Sequence, residues 1–388
     1  MKLDTVCYST AAGWSDQPRA DLDSERTLVV VFGSPELDRV GRPLQDLCAR
    51  FGRSHVVGCS TAGEIFGDSL ADNSLSVAVA QFDHGTRVAS ASAGVQSQDD
   101  SFAAGESIAR QLDHTGLRGV LLFSDGLNVN GTELVRGLNS ILPSDVVVTG
   151  GLAGDGSRFQ RTWVVHEGDA RSNMVCAVGL YGENVSIGHG SKGGWDNFGP
   201  ERRVTRSRGN VLIELDGRPA LELYKEYLGD LASGLPATGL LFPLALRSTA
   251  DDEKSLVRTI LAVDEAAQTM TFAGDMPEGS LARLMRANYD RLIDGASDAA
   301  SMAGAAHVDR FGERAETLAI AISCVGRRLV LGERAEEEIE ATLELLPTGT
   351  RQIGFYAYGE ISPYARGQCD LHNQTMTLTT IRESAAAA

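Results

Sequence analysis

One pattern constrains this chain more than any other. An apolar strand runs into a turn of small residues and reaches a carboxylate, and this happens three times: VVGCSTAGEI at 56–65, VVVTGGLAGDGS at 146–157 and IGFYAYGEIS at 353–362. Small residues let the backbone turn sharply, and successive glycine N–H groups can approach a bound group. Glu64 and Glu360 hold the same place in their copies, and the middle copy carries Asp155. A recurring strand-and-turn unit argues for a duplicated framework. Its turns either converge on a common cleft or each finish a sheet.

The elements between these copies follow a second regularity. Apolar strands begin at 28 and 211, and their helices begin at 36 and 219, the same offset; buried strands begin at 119 and 318. The larger spacing of the last pair matches an Ala/Gly/Ser-rich stretch at 294–306, which extends a helix or forms an insertion. Helical periodicity is also read at 281–293. Strands spaced by helices in this way predict an α/β or α+β fold: two duplicated lobes with mixed β-sheets packed by helices, and a ligand cleft between them. The boundaries read from the sequence are 26–183 for the first lobe, 184–203 for a glycine-rich linker and 204–384 for the second lobe.

Composition narrows the function. A chain of 388 residues with net charge -17 lacks the basic surface that non-specific nucleic-acid binding requires. No basic start, apolar run and cleavage site open the sequence, and no long apolar span occurs, so neither export nor membrane insertion is expected. Six scattered cysteines without a CxxC pair fit a reducing cytoplasm.

Motifs for catalysis are missing. Histidines never take HxxxH or HExxH spacing, which argues against a dedicated zinc site. GCSTAG places Ser60 after Cys59 and is not a GxSxG elbow. GGLAGDG lacks both the GK[ST] ending of a phosphate loop and the GxGxxG order of a dinucleotide fingerprint. The segment IGHGSKGGWDNFGP at 187–200 is the remaining candidate: either a flexible connection, or a ligand segment in which His189 offers a neutral imidazole and Trp195 a stacking surface.

GCSTAGEI resembles the N-terminal half of the FIST sensory family. VTRSRGNVLIELDGRPALELYKEYLG at 204–229, YAYGEISPY and CDLHNQTMTLTTI resemble its C-terminal half. The resemblance spans about residues 26–384. It implies a cytoplasmic ligand-sensing module rather than an enzyme, with amino acids or other small metabolites among the ligands. The chain also resembles the stand-alone NosP group, which binds haem, senses nitric oxide and signals through a partner histidine kinase in biofilm and cyclic-di-GMP pathways. That comparison implies haem b as cofactor, with His189 as iron ligand, Trp195 beside the macrocycle, and Lys192 or Arg202 pairing with a propionate. It implies nitric oxide or another small ligand, a cytoplasmic histidine kinase and a possible homo-oligomer as partners. A metabolite sensor without haem is the alternative.

Overall fold

The computed structural model describes residues 1–83, 85–251, 255–305, 316–363 and 368–384. Its core is one strand-and-helix arrangement built three times. The first unit runs β1 (Lys2–Ser9), β2 (Thr27–Gly33), α1 (Leu37–Arg50), β3 (His55–Ser60), a hairpin of β4 (Glu64–Phe66) and β5 (Ser69–Ala71), and β6 (Ser74–Gln81). Strands β2 and β3 are parallel, β6 lies antiparallel to β2, and β1 lies antiparallel to β6. All seven residues of β2 are buried, which is why it reads as a continuous apolar run.

The second unit repeats this with β7 (Arg87–Gly94), α2 (Ser101–Gln111), β8 (Leu117–Ser124), α3 (Gly131–Asn139), β9 (Val147–Leu152), the hairpin β10 (Val164–His166) and β11 (Asp169–Arg171), and β12 (Met174–Tyr181). The third begins with β13 (Val185–Lys192) and is then interrupted. The chain leaves to form an antiparallel layer of β14 (Asp196–Arg208), β15 (Val211–Leu215), β16 (Leu244–Arg247), β17 (Leu256–Arg258), β18 (Ile260–Asp264), β19 (Thr269–Phe272) and β20 (Leu281–Arg286), packed by α4 (Ala220–Leu228). It returns through α5 (Tyr289–Ala305), β21 (Leu318–Cys324), α6 (Val325–Leu331), α7 (Ala335–Glu344), β22 (Arg351–Ala357), the hairpin β23 (Gly359–Pro363) and β24 (Cys369–His372), and β25 (Met376–Glu383). Again β21 and β22 are parallel, with β25 antiparallel to β21 and to β13.

The hairpins close these units into a ring. Glu64 of β4 pairs with Phe355 of the third unit, Val164 of β10 with Cys59 of the first, and Glu360 of β23 with Gly151 of the second. At the centre Phe32 stacks on Phe355 with centroids 4.5 Å apart, and Phe123 meets them at 5.4 and 6.0 Å. The repeat has a covalent signature. A Cβ on Gly58, Gly150 or Gly354 would fall 1.7, 1.8 or 1.9 Å from the carbonyl oxygen of Val31, Leu122 or Ala321 on the neighbouring parallel strand.

The mixed α/β class, with helices packed on mixed sheets and two domain-like halves, agrees with the sequence reading. The repeat inside those halves is finer. The counterparts of β2 are β8 and β21, whereas the strand at 211 belongs to the antiparallel layer. Residues 281–286 are a strand rather than the start of a helix, because they bond to β14 and β16 on both sides; the helix starts at Tyr289. That helix takes up the Ala/Gly/Ser-rich stretch through Ala305; residue 306 lies outside the described residues.

The glycine-rich segment is mostly not a linker. Its residues 185–192 pair along their whole length with β25. A Cβ on Gly188 would lie 2.1 Å from the carbonyl oxygen of Ala303, and one on Gly190 2.1 Å from that of Ala299. Bare backbone on β13 lets the alanine face of α5 approach closely.

Candidate functional site

The three turns do converge. Ala62 donates its N–H to the Tyr356 carbonyl at 2.8 Å, Gly154 to Ser60 at 3.0 Å and Tyr358 to Leu152 at 3.1 Å, so each turn is tied to a different unit. They meet where the parallel strands end at their carboxyl sides, the usual place for ligands in open α/β sheets.

On one flank the meeting point opens as a cleft of about 340 Å³, lined by Ser34, Glu36, Thr61, Glu64, Asp72 and the loop Asp155–Arg158. It adjoins a recess of about 350 Å³ reaching Gln160 and Arg161. Glu64 is buried at its floor, accepting from the Thr61 hydroxyl and from the Ser74 N–H and hydroxyl at 3.0 and 2.7 Å. Burial pushes its carboxyl up to about 7, against the pull of those bonds.

Asp155 is arranged differently. Burial opposes its charge, but the Tyr358 hydroxyl and three consecutive N–H groups, of Phe159, Gln160 and Arg161, each at 2.8 Å, outweigh this and hold it below the usual carboxylate range. The same loop brings Arg158 to Glu36, whose other oxygen accepts from the Ser34 hydroxyl at 2.5 Å. Across the cleft Arg328 of α6 makes a two-pronged contact with Asp72 at 2.8 and 2.7 Å and donates to the Ala62 carbonyl. The site thus sets carboxylates beside arginines whose charges are shared with solvent. Such a surface presents both signs of charge close together.

Glu360 is the third unit's counterpart of Glu64. It is fully buried and accepts from the Thr375 N–H and hydroxyl at 3.1 and 2.9 Å; burial pushes it up to about 8. In the second unit Val164 takes this place, and Asp125 accepts the Asn173 N–H at 3.0 Å instead. Both glutamates hold protons more tightly folded than unfolded, where their ordinary value is 4.5. Their contribution to stability is therefore greatest below that value and is lost as pH rises through about 7 and 8. Wild-type melting should fall between about pH 4.5 and pH 8 and fall less in Glu360→Gln; parallel curves would contradict this assignment.

The residues singled out by sequence do not gather here. His189 lies mid-strand in β13 opposite Thr379, with Nδ1 buried and unpartnered among the described residues; burial lowers its basicity. Trp195 is buried and donates to the Gln374 carbonyl at 2.8 Å. Lys192 is exposed at the end of β13, and Arg202 contacts Tyr227 and Asp216 in the antiparallel layer. None of the four lines a described cavity. Cys59 is fully buried, with its thiol pushed well above the usual range. Among the described residues no three His, Cys, Asp or Glu side chains are grouped to hold a metal ion.

A larger groove of about 530 Å³ lies between β3, β7 and the β10–β11 hairpin, with His55 and His166 at its rim. It belongs to one junction between units, has no part in the meeting of the turns, and contains no buried carboxyl. The cleft at Glu64 is therefore the stronger candidate. Sequence reading reached Glu64 and Asp155 but missed Glu36, Arg158, Arg328 and Tyr358, which come from segments far apart in the chain.

The FIST N domain of a known family matches residues 27–218, and its FIST C domain matches residues 220–363. No curated protein matches the chain. A solved structure, cyanuric acid hydrolase from A. caulinodans, is similar over 99% of both chains at 11% identity with a TM-score of 0.36, too distant to carry an argument. Among the described residues no helix is long and apolar enough to cross a membrane.

Proposed function

The chain belongs to the FIST family, whose domains are sensory modules of signal transduction, and from that premise we propose that it senses a small polar ligand bound in the cleft at Glu64 and Asp155. The observation that carries this reading is that two of the repeated turns line one cleft, while the third unit is bonded to their residues through Tyr356, Tyr358 and Arg328. A ligand in the cleft contacts the first two units directly and reaches the third through Tyr358 and Arg328. The Arg158–Glu36 pair, with Arg161 and Asp72 near it, favours a zwitterion such as a free amino acid.

Thermal melting with a panel of free amino acids tests the proposal. A ligand at about 100 times its Kd adds about 2.7 kcal/mol to the folded state, and a saturable rise in melting temperature is expected for at least one member. Arg158→Ala, at an exposed position, should weaken that response at least tenfold. No response across the panel, or equal responses of both proteins, would overturn the assignment.

Haem is a second reading, supported by the buried, unpartnered Nδ1 of His189, which burial favours in the neutral form an iron ligand needs. The surroundings do not fit a macrocycle. Both flanking glycines press on α5, Trp195 and Arg202 are engaged by separate partners, and Lys192 is exposed at the strand end. Haem titrated into wild type and His189→Ala should give the same Soret spectrum; a band lost with the imidazole would reinstate haem. A histidine kinase partner and a cytoplasmic setting rest on the resemblance to the NosP group, not on the geometry.

A further inference from the structure

Behind the cleft, on the other side of Tyr358, a second cavity of about 150 Å³ lies in the seam between the second unit and the antiparallel layer. Leu127, Val129, Leu152 and Phe159 line it from the core, Leu261 and Phe272 from the layer, and Tyr358 from the third unit. No charged residue lines it, in a chain with 87 Asp, Glu, Lys and Arg side chains (52 acidic and 35 basic). Two of its three amides are already engaged: Asn130 caps α3 and donates to Asp275 at 3.2 Å, and Asn210 donates to the Phe272 carbonyl at 2.8 Å, while the third, Gln98, lies at the exposed edge.

Two large apolar side chains remain unusually open at this one cavity, Phe159 at 47% and Leu261 at 41% exposure. Phe159 holds a left-handed backbone angle of 53° and stacks on Tyr358 at 4.5 Å with a 19° tilt. A side chain in that conformation is costly, and here it keeps an aromatic face toward the seam instead of folding it away. A cavity of about 150 Å³ has the volume for one benzene-sized molecule, and this one opens to solvent beside Phe159 and Leu261.

We propose that this seam is a separate binding site for an uncharged, single-ring aromatic molecule. The ring packs against Phe159 and between Leu152 and Leu261. Hydrophobic burial supplies the affinity, and the absence of charge on the walls rejects the zwitterions that the cleft accepts. The site stands whether or not the cleft binds amino acids.

Phenol is the probe, and methyl-selective NMR of the full chain is the readout. The Leu127, Val129, Leu152 and Leu261 methyl signals should move together and saturate. Leu261→Glu, at a half-open position where folding tolerates a charge, should raise the phenol Kd at least tenfold, and Glu36→Gln in the cleft should leave it unchanged. Shifts that do not saturate, that spread over unrelated methyls, or that persist in Leu261→Glu would overturn the site. Failure with phenol leaves the amino-acid response of the cleft untouched, and the Arg158→Ala comparison reports on that alone.

Discussion

Glu338→Ala is expected to lower stability by about 3–5 kcal/mol, the usual cost of stripping one partner from a buried ion pair. The Arg327 and Glu338 side chains are both wholly buried, joined by Nε and Nη2 to one carboxylate oxygen at 2.9 and 2.6 Å. The other oxygen accepts from the Ser323 hydroxyl at 2.9 Å and the Tyr356 hydroxyl at 2.7 Å, while Arg327 also donates to the Leu292 carbonyl at 2.8 Å. One carboxylate thus ties α5, α6, α7, β21 and β22 together. Removing it leaves a buried guanidinium without its counter-charge. The paired change Arg327→Met with Glu338→Leu removes both charges and should recover most of the loss, because the desolvation cost of the pair disappears with it. Chemical denaturation of the three proteins measures both effects. A single-variant loss under about 1 kcal/mol would show that the pair does not hold the unit.

The glycine signature predicts a larger effect still. In Gly150→Ala the new Cβ meets the Leu122 carbonyl oxygen at 1.8 Å and its carbon at 2.7 Å. Backbone of a paired central strand cannot withdraw as a side-chain tip can, so the β8–β9 ladder must separate. Overpacking alone costs about 1–3 kcal/mol, and opening a central ladder adds to that. Gly150→Ala should therefore lack a cooperative melting transition, and Gly354→Ala should behave alike. Gly304→Ala is the control. It lies in α5 with its nearest neighbour 4.0 Å away, and alanine should be neutral or stabilise by up to about 1 kcal/mol. Cooperative melting of Gly150→Ala near the wild-type temperature would refute the close approach.

These glycines also show what sequence could and could not disclose. The three motifs were visible because each unit needs an apolar strand, a glycine that lets its neighbour close in, and a small turn. The ring was hidden because β4, β10 and β23 pair with strands of other units, and no local period records such a choice. Arg328 lies 256 residues from its partner Asp72, and Tyr358 lies 203 from Asp155. Glycine is ambiguous by nature: it serves loops by freedom and tight packing by absence of a side chain. The alternation at Gly188 and Gly190, read against Ala299 and Ala303 one helical turn apart, was the signal for the second use. His189 drew attention because a lone imidazole among glycines looks available, yet it is held in the middle of a paired strand.

Hydrogen exchange on the full chain, with and without a saturating amino acid chosen from the melting panel, tests the central claim most directly. The account predicts slowed exchange at 61–63 and 154–161 together with Tyr358, since a ligand in the cleft rests on the first two turns and Tyr358 is bonded to Asp155 beneath it. Protection confined to the groove around His55 and His166, with these turns unchanged, would contradict it.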